Sequence, residues 1–129
     1  MENVCIISNN SLSLEKYHAC AISIKGDVAT VFAAARNMIH AGAKLIAHPL
    51  SGSIKPNQSP YKSLVLSNGK QESNIVDFDS LKYIENAIAV LAKLPVISHD
   101  YSEAVLEDFK VIDLDLLDNA MKRLGIRGV

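Results

Sequence analysis

Three of the four prolines, Pro49, Pro56 and Pro60, interrupt one polar stretch at residues 48–62. Each fixes φ near about −65° and removes a backbone donor, so the stretch can extend neither neighbour as regular structure. It must be a stiff loop, and the rest of the chain has to pack around its two ends. Histidine, serine, asparagine, lysine and tyrosine side chains fill the positions between the prolines. A stiff, donor-rich loop is how folds commonly build a site for a small polar ligand.

The runs on either side are short. Val4-Cys5-Ile6-Ile7-Ser8 reads as a strand that ends at the Asn9-Asn10 turn signal. Residues 11–17 suit a short helical turn, and 20–24 a second strand closed by Lys25-Gly26. Asp27 is a good N-cap for a helix with Val28, Val31, Phe32, Ala35, Met38 and Ile39 at helical spacing, ended by Gly42. Leu45-Ile46-Ala47 reads as a buried strand that delivers His48 to its carboxyl end. Residues 63–67 form another strand, stopped by Asn68-Gly69. Asp79 caps a helix with Leu81, Ile84, Ile88 and Leu91 on one face, and Pro95 stops it. Asp115 caps a last helix through Leu116, Leu117, Ala120, Met121 and Leu124, ending at Gly125.

No linker or repeat divides the chain, so the expectation is one α/β domain over residues 1–129. Strands apolar on both faces, alternating with amphipathic helices, predict a sandwich with a mainly parallel central sheet of about four strands flanked by helices. Parallel pairing of 4–7, 22–24 and 45–47 would use helix 27–42 as a crossover. Ligands collect beyond the carboxyl ends of such strands. Asn9-Asn10, Gly26-Asp27 and residues 48–53 would then open on one edge. An antiparallel edge at 45–47 would remove that geometric basis.

Composition limits the function classes. Hydrophobic residues make up 49% but aromatics only 5%, with no Trp, so the core must be aliphatic. No uncharged apolar run approaches the ~20 residues of a membrane helix. Met1-Glu2-Asn3 carries an acid where a signal peptide is basic, which predicts a cytoplasmic protein. Cys5 and Cys20 lack C-x-x-C spacing and a nearby His pair, so they read as reduced thiols and no metal site is expected. Neither a P-loop nor G-x-G-x-x-G is present, so no cofactor is expected. A pI near 6.4 without an RNA-binding aromatic motif argues against nucleic acid.

The net charge of −1 is unevenly spread. Residues 28–71 contain no Asp or Glu and carry Arg36, Lys44, Lys55, Lys62 and Lys70. All 14 acids lie outside, seven of them in the tail from Asp100 to Asp118. An acid-free centre around a donor-rich loop favours an anionic ligand or an acidic partner surface. The alternative is that tail and centre neutralise each other, within one chain or across a homodimer.

The run His48-Pro49-Leu50-Ser51-Gly52-Ser53, continuing through Lys55-Pro56-Asn57-Gln58-Ser59-Pro60-Tyr61-Lys62-Ser63, resembles the signature of the small GrdX-type family. These are accessory proteins encoded beside selenoprotein glycine, sarcosine and betaine reductases of anaerobic bacteria. The strand ending in Asn9-Asn10, the helix ending Ile39-His40-Ala41-Gly42, and Leu45-Ile46-Ala47 before His48 are similar to it as well. The similarity extends through the Asp79 helix, and the acidic tail after Pro95 matches no pattern. The resemblance implies an accessory role with a reductase-complex protein as partner, and it carries no catalytic residue over.

The leading expectation is binding of a small anion (a phosphate, carboxylate or acyl phosphate) by His48, Ser51, Gly52, Ser53, Lys55, Tyr61 and Lys62, with Asn9 and Asn10 at the rim. A small enzyme using His48 as acid/base is the second class, since its ordinary pKa lies near neutrality. A module whose loop docks on a reductase subunit is the third.

Overall fold

The computed structural model describes residues 4–50, 55–67 and 75–125. Strand β1 (Val4–Ser8) leads through helix α1 (Ser11–Lys16) to strand β2 (Ala21–Ser23) and helix α2 (Val28–His40). Strand β3 (Ser63–Ser67), helix α3 (Phe78–Lys93) and helix α4 (Glu103–Arg123) follow. Among the described residues, no helix is long and apolar enough to cross a membrane.

The class is α/β, but the sheet differs from the expected one. Among the described residues it has three strands in the order β2-β1-β3, not about four, and it is mixed rather than mainly parallel. β1 pairs parallel with β2, Ile7 opposite Ile22, and antiparallel with β3, Ile6 opposite Val65. The inference from two-sided apolar strands fails for a physical reason. Two-sided burial reports that both faces are covered, not which way the neighbour runs. Cys5, Ile7, Leu64 and Leu66 pack on α2 and α3, whereas Val4, Ile6 and Val65 pack with Tyr17, Leu117 and Met121 on the other side. The aliphatic run of β1 is buried at every position by these two layers.

Two further expectations need correcting. β2 is an edge, with Ile22 49% exposed, rather than a covered central strand. Residues 45–47 make one isolated antiparallel bridge, Leu45 opposite Leu66, with Ile46 at the surface. The premise of a third parallel strand is therefore gone. Pro49 comes too soon after Leu45 for the ladder to grow. Since β3 runs opposite to β1, the bridged segment runs with β1, and it brings Ala47 and His48 to the end of the sheet where β3 begins.

The caps follow side-chain chemistry. Asp27 Oδ1 accepts from the Thr30 N–H at 2.9 Å and its hydroxyl at 2.8 Å. Asp77, not Asp79, caps α3, accepting from the Ser80 N–H and hydroxyl at 3.0 and 2.6 Å. Gly26 before the first cap has φ +139°, and a Cβ there would meet Thr30 Oγ1 at 2.7 Å, so only glycine fits. Thr30's backbone N–H, then its hydroxyl, holds the Asp27 carboxyl below the ordinary range. The stability this contributes is complete above about pH 4 and drains as pH falls through the lower folded value. Asp27→Ala is expected to lose about 1 kcal/mol at neutral pH. Its gap to wild type in thermal melts should narrow in acid.

Candidate functional site

The end of β1, the turn before α2 and the start of β3 meet at one edge, and Asn9 fastens them together. Its Nδ2 donates to Gly26 O at 2.9 Å and Pro60 O at 2.8 Å, and its Oδ1 accepts from Lys62 N at 2.8 Å. Asn10 is wholly buried. Its Oδ1 caps α1 through Leu12 N, and its Nδ2 donates to Lys110 O and Asp113 Oδ2, both at 2.9 Å. Both amides expected at a ligand rim are thus spent on the protein itself.

Behind them lies a buried carboxylate from the acidic tail. Asp113 of α4 is 6% exposed. Oδ1 accepts from Ser63 N at 3.0 Å. Oδ2 accepts from Ser63 Oγ at 2.6 Å, Asn10 Nδ2 at 2.9 Å and Ser13 Oγ at 3.4 Å. Ser63 has one hydroxyl proton, and a short O–H···O⁻ bond claims it. Ser8 Oγ, 2.7 Å from Ser63 Oγ, therefore donates to it, while Ser8 accepts from Asn10 N at 2.9 Å. The signal for Asp113 was in the sequence: it stands four residues before Leu117 and eight before Met121, on the buried stripe of α4. An α4 starting at Asp115 hid it. Ser102 in fact caps that helix, accepting from Val105 N.

Lys62 adjoins this network. The residue as a whole is partly accessible, but protein packs closely around its amine. Burial pushes the ammonium pKa down, and the charge of Asp113 pushes it back up. Among the described residues, Nζ makes no hydrogen bond or ion pair. Two clefts of about 30 Å³ each flank it. Lys55, Ser59 and Tyr61 share one wall with Lys62 and Asp113. His48 lines the other.

The predicted residues are therefore partly assembled. Lys55, Tyr61 and Lys62 line one cleft, and Tyr61 lies beneath Lys110 Nζ, 5.6 Å from the ring centroid. His48 is exposed and tilts against Tyr83 with ring centroids 5.1 Å apart. Its Nδ1 accepts from Leu50 N at 3.1 Å, so in the neutral ring Nε2 carries the proton. Ser51, Gly52 and Ser53 lie outside the described residues. Asp118 is a second tail acid turned inward, accepting from Tyr17 Oη at 2.5 Å and Lys16 Nζ at 2.8 Å. Cys5 and Cys20 are free thiols, and burial raises both pKa values.

Chemically, the edge combines a desolvated amine, a saturated carboxylate and hydroxyl groups. It can hold an oxyanion head group through charge and hydrogen bonds, and the amine can exchange a proton nearer neutrality than an exposed lysine can. Neither curated proteins nor solved structures supply a match to the chain. The family described as GrdX-like protein matches residues 5–122. The match passes Pro95 and takes in nearly all of α4, so the acidic tail belongs to the pattern as much as the proline loop does. On that match, the chain belongs to the GrdX-like protein family.

Proposed function

We propose that the protein is an accessory protein of the glycine reductase type that holds a small anion beside Lys62. Family membership supports the accessory role and a reductase-complex protein as partner. The ligand reading rests on Lys62, whose desolvated amine makes no hydrogen bond among the described residues. Burying an ammonium is costly unless a partner compensates. Asp113 compensates by charge, but its oxygens are already taken by Ser63, Asn10 and Ser13. An anion in the cleft would complete the set, with Lys55 as second cation and the Ser59 and Tyr61 hydroxyls in the same wall. The small volume suits one phosphate or carboxylate head group rather than a whole nucleotide.

Calorimetric titration with phosphate, acetyl phosphate, glycine and betaine tests this. The best ligand should lose about tenfold to a hundredfold in affinity in Lys62→Met or Lys55→Ala, the cost of one charge-assisted hydrogen bond. Wild-type affinity in the double variant would remove the anion reading. Turnover of one of these compounds, abolished in a folded His48→Ala protein, would instead favour acid/base catalysis through Nε2.

A further inference from the structure

A third and larger cleft, of about 270 Å³, opens at the start of α2. It shares Val28 and Pro56 with the Lys62 cleft but none of its charged groups. Ala29, Leu91, Leu94 and Ile97 give it apolar walls, and Asp27, Asn57 and His99 are its polar side chains. Their hydrogen-bonding states can be worked out from their partners.

Asn57 Nδ2 donates to Pro95 O at 2.9 Å, which fixes the amide and leaves Oδ1 as the acceptor. Among the described residues Oδ1 has no donor, although Asn57 is only 9% exposed. His99 Nε2 lies 2.8 Å from Asn57 O. A carbonyl oxygen only accepts, so Nε2 carries the proton and Nδ1 of the neutral ring is a lone pair. Asp27 spends Oδ1 on the α2 cap and keeps acceptor capacity on its carboxylate. Each side-chain donor nitrogen in the wall thus already has an acceptor, while Asn57 Oδ1 has no donor. A buried acceptor without a donor is unfavourable, and a bound group that supplies one relieves it.

We propose that this cleft binds a small aliphatic amine. Its N–H groups donate to Asn57 Oδ1, His99 Nδ1 and the Asp27 carboxylate, and its hydrocarbon lies against Leu91, Leu94 and Ile97. The negative charge of Asp27 favours the ammonium form, and the cap already answers the positive end of α2. Oδ1 is closed to solvent, so the cleft has to widen for the amine to reach it, and the strap at 95–99 lines one wall. That strap has neither helix nor strand, and its Val96 is fully exposed.

Titration of isotope-labelled protein with isobutylamine, followed by backbone amide resonances, decides the matter. Val28, Ala29, Asn57 and His99 should shift saturably. Tetramethylammonium, which has the charge but no N–H, should leave them in place. Asp27→Asn keeps a good cap but loses the charge, so it should weaken binding by about tenfold or more while melting like wild type. Asn57→Leu should abolish binding, and if that variant does not fold, Asp27→Asn carries the test. Absence of a saturable shift up to about 50 mM amine, an equal response to tetramethylammonium, or unchanged affinity in Asp27→Asn would each overturn the assignment. None of these results depends on what occupies the Lys62 cleft.

Discussion

Asp113→Ala is expected to cost about 3–5 kcal/mol, the loss typical of removing one partner from a buried charged pair. The wild-type carboxylate answers the Ser63 N–H and hydroxyl and the Asn10 amide, all buried or half-buried, and it faces Lys62. Alanine would leave those donors unanswered and the ammonium without a countercharge. The three serine hydroxyls can re-pair among themselves, but Ser63 N and Asn10 Nδ2 cannot. With a total stability of roughly 5–15 kcal/mol, the variant should sit close to unfolding. Asp113→Asn keeps the shape but turns a donor toward donors, and a loss of about 1–3 kcal/mol is expected. Urea denaturation measures both. A midpoint for Asp113→Ala within about 0.5 kcal/mol of wild type would show that the network does not tie α4 to the sheet.

Lys62 supplies the complementary result. Its folded pKa is lowered by burial, so between that value and the unfolded value near ~10.4 the unfolded chain holds more protons. Stability should therefore rise with pH across that window, and below it the cost of the buried charge is constant. Lys62→Met should abolish this rise and leave stability at neutral pH unchanged or slightly higher. In the Asp113→Ala background the same change should recover part of the loss, because the stranded ammonium is gone.

Local chemistry was legible in the sequence. Asp27 caps the helix it was expected to cap, and Gly42, expected to end that helix, has φ +108°. The apolar runs at 4–8 and 63–67 are strands. Strand direction was not legible, since helices cover β1 and β3 on both sides and erase the alternation that distinguishes a half-exposed antiparallel strand. The roles of Asn9 and Asn10 were hidden too. Turn propensity places them at the end of β1, but only tertiary structure brings Pro60, Lys110 and Asp113 within reach of their amides. The charge asymmetry gave half the answer. Asp113 and Asp118 turn to partners within the fold, and Arg36 meets Glu85 of α3 at 2.9 Å. Among the described residues, the Lys62 amine still lacks a hydrogen-bonding partner.

Ending the chain at Pro95 is expected to abolish cooperative folding. Helix α4 packs on the sheet. Leu117 and Met121 close the face formed by Val4, Ile6, Val65 and Tyr17, most of which are under 5% exposed. Burying each such side chain is worth ~1.5–3 kcal/mol, so opening this layer forfeits on the order of 10 kcal/mol, comparable to the stability of a whole domain. The Asp113 network and the Asp118 bonds to Tyr17 and Lys16 go with it. The truncated protein should show no sigmoidal melt, and amides of β1 and β3 should exchange without protection. In the intact protein, amides across 111–121 should exchange as slowly as those of β1. Fast exchange there, or a truncated protein that melts cooperatively within a few degrees of wild type, would make α4 a detachable arm. The tail would then be a docking element for a partner rather than the fourth wall of the sheet.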